Sequence, residues 1–197
     1  MAIMIPNKIE TFCNDQHGEI KTYIYLKNTL PDDHYVFWHL KTPDGGELDF
    51  LIISPDIGLV VLEVKDWSKF TEEEISTYGS PIQQSNGYIN SINNKLKGCK
   101  KLLQTSEKYS DHLDFCYASG VVLHKISKEE LSDNEYYLKD KNKFFLKDDF
   151  NNDNPDILRE KLYLIGENKF IFEKLSEIKI KLIIDKLLET NNLDIEE

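Results

Sequence analysis

Arginine is almost missing from this sequence: of its 24 lysines and arginines only Arg159 carries a guanidinium. Proteins that read duplex DNA through bidentate guanine contacts depend on arginine, so tight sequence reading is disfavoured. Positive charge is scarce altogether. Against 24 basic residues stand 35 Asp and Glu, a formal net charge of −11, which argues against coating nucleic acid by charge alone. The deficit deepens along the chain, from −4 over residues 1–128 to −7 over residues 129–197. A hydrolase that meets phosphate only transiently tolerates this balance, because bound cations offset its carboxylates.

Cysteine is sparse too. Cys13, Cys99 and Cys116 are odd in number and lack C-x-x-C spacing, so reduced and mostly buried thiols are expected rather than a disulfide framework. The five histidines, His17, His34, His39, His112 and His124, form no H-x-x-x-H or Cys/His cluster, which leaves zinc without support; His17 stands two residues before Glu19 and reads as a surface histidine. No run approaches the roughly 18–20 apolar residues of a membrane span, and Met1 to Pro6 is too short for a secretory signal, so the expected location is the cytoplasm without a membrane partner. There is no internal repeat and no G-x-x-x-x-G-K-[ST] loop, so these residues alone make neither an ATPase nor a helicase.

What the sequence does hold is a hairpin with misplaced charges. Gly45 to Trp67 contains two apolar runs, Leu48 to Ile53 and Leu59 to Val64, joined by a Ser-Pro-Asp-Ile-Gly turn; Asp49 interrupts the first, and Glu63 and Lys65 close the second. Buried charges are costly unless they pair or hold a cation. Strand periodicity puts Glu63 and Lys65 on one side and Val64 on the other. With Ser54 to Gly58 as the turn, the strands pair antiparallel and Asp49 lies near the end of the second. Two carboxylates brought together repel unless a cation sits between them, and hard oxygen donors favour Mg²⁺ or Mn²⁺. A lysine beside such an ion orients or helps deprotonate a water and stabilises a pentacoordinate phosphate. The implied chemistry is metal-dependent phosphodiester hydrolysis; the plain alternative is a structural Glu–Lys pair at a strand end.

Around the hairpin the pattern predicts an α/β domain of 197 residues, with a core over 1–128 and an extension of the same domain over 129–197. Residues 8 to 30 read as a helix carrying Glu19, strongest from Gly18 onward. Tyr35 to Leu40 reads as a strand leading into the Thr42 to Gly46 turn. Ser68 to Ser80 reads as a polar stretch, with Glu72, Glu73 and Glu74 as a solvated charge run. Pro81 opens a helix expected to reach about Lys108, bending at Gly87 or Gly98. Tyr117 to His124 is predicted as a strand parallel to a neighbour, and Phe144 to Leu146 as a short strand. A loop from Lys147 to Pro155, a helix near Ile157 to Leu164, an amphipathic helix from Glu173 to Thr190 and a frayed tail complete the expectation.

Helix, strand, charged hairpin, helix, strand, with an acid in the first helix, is similar to the core of the PD-(D/E)xK nuclease superfamily, a mixed sheet flanked by helices in α-β-β-β-α-β order. More narrowly, Gly18-Glu19, Gly46-Glu47-Leu48-Asp49-Phe50-Leu51, Gly58-Leu59-Val60-Val61-Leu62-Glu63-Val64-Lys65 and Ser80-Pro81-Ile82-Gln83-Gln84 resemble the nuclease-related domain family, over roughly residues 18 to 124. The resemblance implies that Asp49 and Glu63 are metal-binding carboxylates, with the Val64 carbonyl as an extra ligand and Lys65 as the catalytic lysine. It implies that Glu19 completes the metal shell and that Gln84, at a helix start, holds a phosphate or the attacking water. Its departure is the acidic stretch Thr71 to Tyr78, where similar domains carry a glycine-rich turn and a tryptophan strand. Met4 to Pro6 and Ser80-Pro81 also resemble the nuclease-related domain found ahead of UvrD-like helicase modules.

The resulting expectation is a Mg²⁺- or Mn²⁺-dependent DNA nuclease of repair or defence against foreign DNA, coupled to a UvrD-like helicase module in the same or another chain. A duplex cut needs two sites or two visits, which admits a homodimer. Two alternatives stay open: a nuclease fold used without catalysis as a docking or DNA-positioning module, and an RNA nuclease.

Overall fold

Runs of β-branched and aromatic residues become strands, and the computed structural model, which describes residues 1–7, 17–150, 154, 156–166 and 173–191, gathers six of them into one sheet. In chain order the elements are β1 (Ile3–Ile5), α1 (His17–Thr29), β2 (Tyr35–Lys41), β3 (Glu47–Ser54), β4 (Gly58–Val64), α2 (Glu72–Tyr78), α3 (Pro81–Leu96), β5 (Tyr117–Leu123), α4 (Glu135–Lys139), β6 (Phe144–Leu146), α5 (Asp156–Gly166) and α6 (Glu177–Asn191), with short 3-10 turns between. Strand order in the sheet follows the sequence. β3 runs antiparallel to both β2 and β4, whereas β1 runs parallel to β2, β5 to β4 and β6 to β5. The result is a mixed sheet flanked by helices, as the α/β expectation required. Among the described residues no helix is long and apolar enough to cross a membrane.

Alternation along the strands builds a core on each face. Phe50, Ile52, Val60 and Leu62 pack with Tyr23 and Leu26 of α1 and Leu158 and Leu162 of α5. Leu51, Ile53, Leu59 and Val61 pack with Ile89 and Ile92 of α3 and Ile183 and Leu187 of α6. Every residue of β4 is therefore buried. The hairpin turn is set where expected, with Ser54 opposite Gly58 and the Ser54 hydroxyl accepting from the N–H groups of Asp56 and Ile57. Gly58 sits at φ +89°, and a Cβ there would fall 2.0 Å from the Cys116 carbonyl oxygen, so no larger residue fits.

Alternation breaks at one place. Phe37 and Leu40, three residues apart, enter the same core cluster, as do Leu48 and Leu51 on the facing strand. Between the paired residues Trp38–Phe50 and Leu40–Leu48 lie His39 and Asp49, and His39 has a φ of +55°, the sole positive value at a non-glycine among the described residues. Such local irregularity in a strand pair re-aims the side chains it carries.

Several elements differ from expectation. β1 comes from the Met1 to Pro6 segment, read only as too short for a signal; it is three residues long and owes its strand state to pairing with β2. The polar stretch before Pro81 contains α2, capped by the Thr71 hydroxyl accepting from the Glu74 N–H and carrying Glu72, Glu73 and Glu74 where a helix dipole favours acids. The helix opened by Pro81 and capped by Ser80 ends at Leu96 rather than Lys108, because Gly98 and Cys99 donate to Lys95 and Leu96 in tighter three-residue turns. Leu102 then ends a short 3-10 turn over Lys100–Leu102, and Leu103 after it forms a bridge with Leu113. α4 is an element the sequence pattern does not announce, and α6 starts at Glu177 rather than Glu173: Leu175, still outside the helix, donates its N–H to the Pro55 carbonyl, and the Ser176 hydroxyl accepts from the Lys179 N–H at the helix start. Cys99 and Cys116 are half-buried thiols. The expected helix over residues 8–16, Cys13 and the tail beyond Asn191 lie outside the described residues.

Candidate active site

At the carboxyl end of β4 the chain places an acid, a valine and a lysine in succession, and periodicity separates them as expected. Glu63 is 3% exposed, and its Oε1 accepts from Lys65 Nζ at 2.7 Å. Val64 faces the opposite core. Its N–H donates to Asp49 Oδ2 at 2.6 Å, which draws the β3 carboxylate against the end of β4. Burial first, and then the Glu63 charge, push the Asp49 carboxyl up to about 8. Burial likewise raises the Glu63 carboxyl, against the pull of Lys65. Glu63 Oε2 is buried and has no hydrogen-bond partner among the described residues. Two buried carboxylates thus share the neighbourhood of one lysine, which bonds Glu63.

Glu19 reaches this end of the sheet from the first turn of α1. Its Oε2 lies 2.5 Å from His39 Nε2 and accepts from Trp38 Nε1 at 3.4 Å. Its charge acts on both Asp49 and Glu63, raising each. Gly18, the preceding residue, explains how α1 comes so close: a Cβ there would fall 2.4 Å from Asp66 Oδ1 and 2.6 Å from His124 Cε1. Gln84 lies in the first turn of α3. Its amide donates to the Tyr88 hydroxyl one helical turn on, at 2.9 Å, and makes no described bond to Asp49, Glu63 or Lys65.

Two groups escaped the sequence reading. His39 bridges Glu19 through Nε2 and Glu47 through Nδ1, the latter at 2.9 Å; the short turn at Thr42 to Gly46 already placed residue 39 across from residue 49, the signal that could have found it. His124, at the end of β5, lies with Nε2 3.2 Å from Asp66 Oδ1, and burial lowers its pKa against the opposing pull of Asp66. Two segments 58 residues apart in sequence make that contact, so no local pattern announces it. A groove of about 1220 Å³ is lined by Asn86, Tyr109, Tyr117 and Lys141 among others and contains none of Glu19, Asp49, Glu63 or Lys65.

The donors suit a hard divalent cation in one form. Among the described residues no three His, Cys, Asp or Glu side chains form a ready-made metal cluster. Asp49 and Glu63 offer two carboxylates and an orphaned oxygen, and Mg²⁺ commonly binds through one or two carboxylates with water completing its shell.

A mixed sheet with two acids and a lysine meeting at one strand end defines a nuclease-like α/β protein. The chain belongs to the nuclease-related domain family, whose model matches residues 14–123. No curated protein and no solved structure matches it.

Proposed function

We propose that the protein is a Mg²⁺- or Mn²⁺-dependent nuclease that hydrolyses phosphodiester bonds of DNA. The observation that carries this reading is the pair Asp49 and Glu63, buried together at one strand end, with Glu63 Oε2 unpartnered among the described residues and Lys65 alongside. Asp49 and Glu63 would hold the ion, with Glu19 and the Val64 carbonyl as further oxygen donors. The bound ion would supply Lewis-acid polarisation of the scissile phosphate and a more acidic water. Lys65, held by Glu63 at 20% exposure, presents an ammonium that orients water and offsets charge building on the phosphate. Gln84 would act at the start of α3, where the helix N-terminus favours phosphate, on the substrate side of the site.

A UvrD-like helicase module, in the same chain or another, would bring nucleic acid to a domain whose net charge is −11, and a homodimer would allow both strands to be cut. The test is digestion of supercoiled plasmid with either metal. Wild-type protein should nick it, and Asp49→Ala, Glu63→Ala and Lys65→Ala should each lose at least about 100-fold in rate; cleavage surviving all three sinks the assignment. Parallel digestion of RNA and of single-stranded and duplex DNA decides the substrate.

One observation favours the second reading, a nuclease fold that positions DNA without cutting it: the missing three-residue metal cluster among the described residues. That reading requires no heat on Mn²⁺ titration and no turnover, with DNA binding unchanged by Lys65→Ala.

A further inference from the structure

His39 is the unexplained residue of the site. It occupies a backbone region at φ +55° that a non-glycine rarely visits, and such residues persist only where their surroundings hold them. Here the holding groups are two carboxylates from different elements, Glu19 of α1 on Nε2 and Glu47 of β3 on Nδ1. Trp38, the neighbouring residue on β2, donates to the same Glu19 oxygen, and its indole meets the His39 ring edge-on at 4.3 Å between centroids.

We propose that His39 is a positioning residue that clamps Glu19 beside Asp49 and Glu63, so that the helix acid can join the cation those two hold. The inference rests on the metal-dependent reading above. Like charges explain why a clamp is needed. Without a donor, Glu19 would be pushed toward solvent by two nearby carboxylates, and a first-turn helix side chain has rotamers free to take it there. Both described bonds end on Oε2, which leaves Oε1 as the oxygen available to an ion. A latch that withdraws Glu19 from the site is the opposite design. It fits poorly, because His39 itself lies across from Asp49 in the β2–β3 register, so the bond to His39 keeps Glu19 at that strand end.

The experiment is calorimetric titration of the whole protein with Mn²⁺ at fixed pH. His39→Gly removes the ring while suiting the positive φ, so the fold should survive, and the thermal midpoint should stay near that of wild type. Partners of metal ligands typically contribute 10- to 100-fold in affinity, and we expect His39→Gly to weaken Mn²⁺ by about that factor. Glu19→Ala should weaken it similarly, and the double variant should be no worse than either single one. His39→Gln, which can donate to Glu19 again, should recover part of the loss. Wild-type affinity in His39→Gly, with Glu63→Ala binding no metal, overturns the clamp and leaves the proposed function standing; losses that add in the double variant also overturn it. Wild-type protein that binds no Mn²⁺ overturns both readings together.

Discussion

Asp49 and Glu63 set stability and chemistry against each other. Each is buried near the other, with Lys65 bonded to Glu63 alone, so ionising both without a cation costs folding energy. An amide at position 49 keeps an oxygen for the Val64 N–H and removes the charge. We therefore expect Asp49→Asn to raise the thermal midpoint of the metal-free protein by several °C, about 1 kcal/mol corresponding to ~2–4 °C for a chain of this length. The same variant should lose its response to Mn²⁺. Paired melting curves with and without the ion check both halves, and a variant less stable than wild type without metal contradicts the repulsion argued here. At this scale much of the site was legible. Asp49, Glu63 and Lys65 came from hairpin periodicity alone, because the turn sets the register and the register sets who faces whom. Gln84 is expected on the same site from the resemblance; its amide donates to Tyr88, and which way an amide at a helix start turns is set by its tertiary neighbours.

Among the elements, α1 and the strand ends it crosses are the most constrained. Gly18 lets α1 rest on Asp66 after β4 and His124 after β5, and the next residue is Glu19. Gly18→Ala would drive a Cβ into a His124 side chain only 5% exposed, so a loss of about 1–3 kcal/mol is expected from overpacking. Because the helix must shift to relieve the clash, Mn²⁺ binding should weaken as well. A chemical denaturation curve that matches wild type would mean that this helix end is looser than described. Element boundaries were legible where a local signal exists, as with Ser80 and Pro81 at the start of α3. They were not legible where packing decides: helical spacing continued through Leu102 and Leu103, but the chain turns at Gly98.

The whole molecule is tied together across its two halves. Residues of α5 and α6 fill the cores on both faces of β4, and β6 extends the sheet beside β5. Asp149 is the polar counterpart of that apolar joint. At 1% exposure it accepts from the Leu146 N–H at 2.8 Å, from Lys161, and from Lys128 at 2.9 Å. Burial pushes its carboxyl up, but the Leu146 N–H with Lys161 and Lys128 outweighs burial and holds the group below its ordinary range. A lowered carboxyl is more acidic folded than unfolded. Its share of stability is therefore complete above the unfolded value of about 4 and disappears as pH falls through the folded value. Asp149→Asn should cost about 3–5 kcal/mol at neutral pH, because it leaves Lys161 nearly buried without its counter-charge. The gap from wild type should narrow below about pH 4, read from denaturation midpoints across pH. A chain ending at Lys128 loses Leu158, Leu162, Ile183 and Leu187 from the two cores, and we expect it to show no cooperative melting transition.

The sequence by itself determined the α/β class, the hairpin and its register, and the meeting of Asp49 with Glu63 and Lys65, because each follows from periods of two or from a turn a few residues long. Tertiary structure alone decided that β1 is a strand, that α1 descends onto Asp66 and His124, and that His39 turns from its strand to hold Glu19. Those outcomes join residues distant in sequence, and the like-charge repulsion and close packing behind them exist only once the sheet and helices have come together.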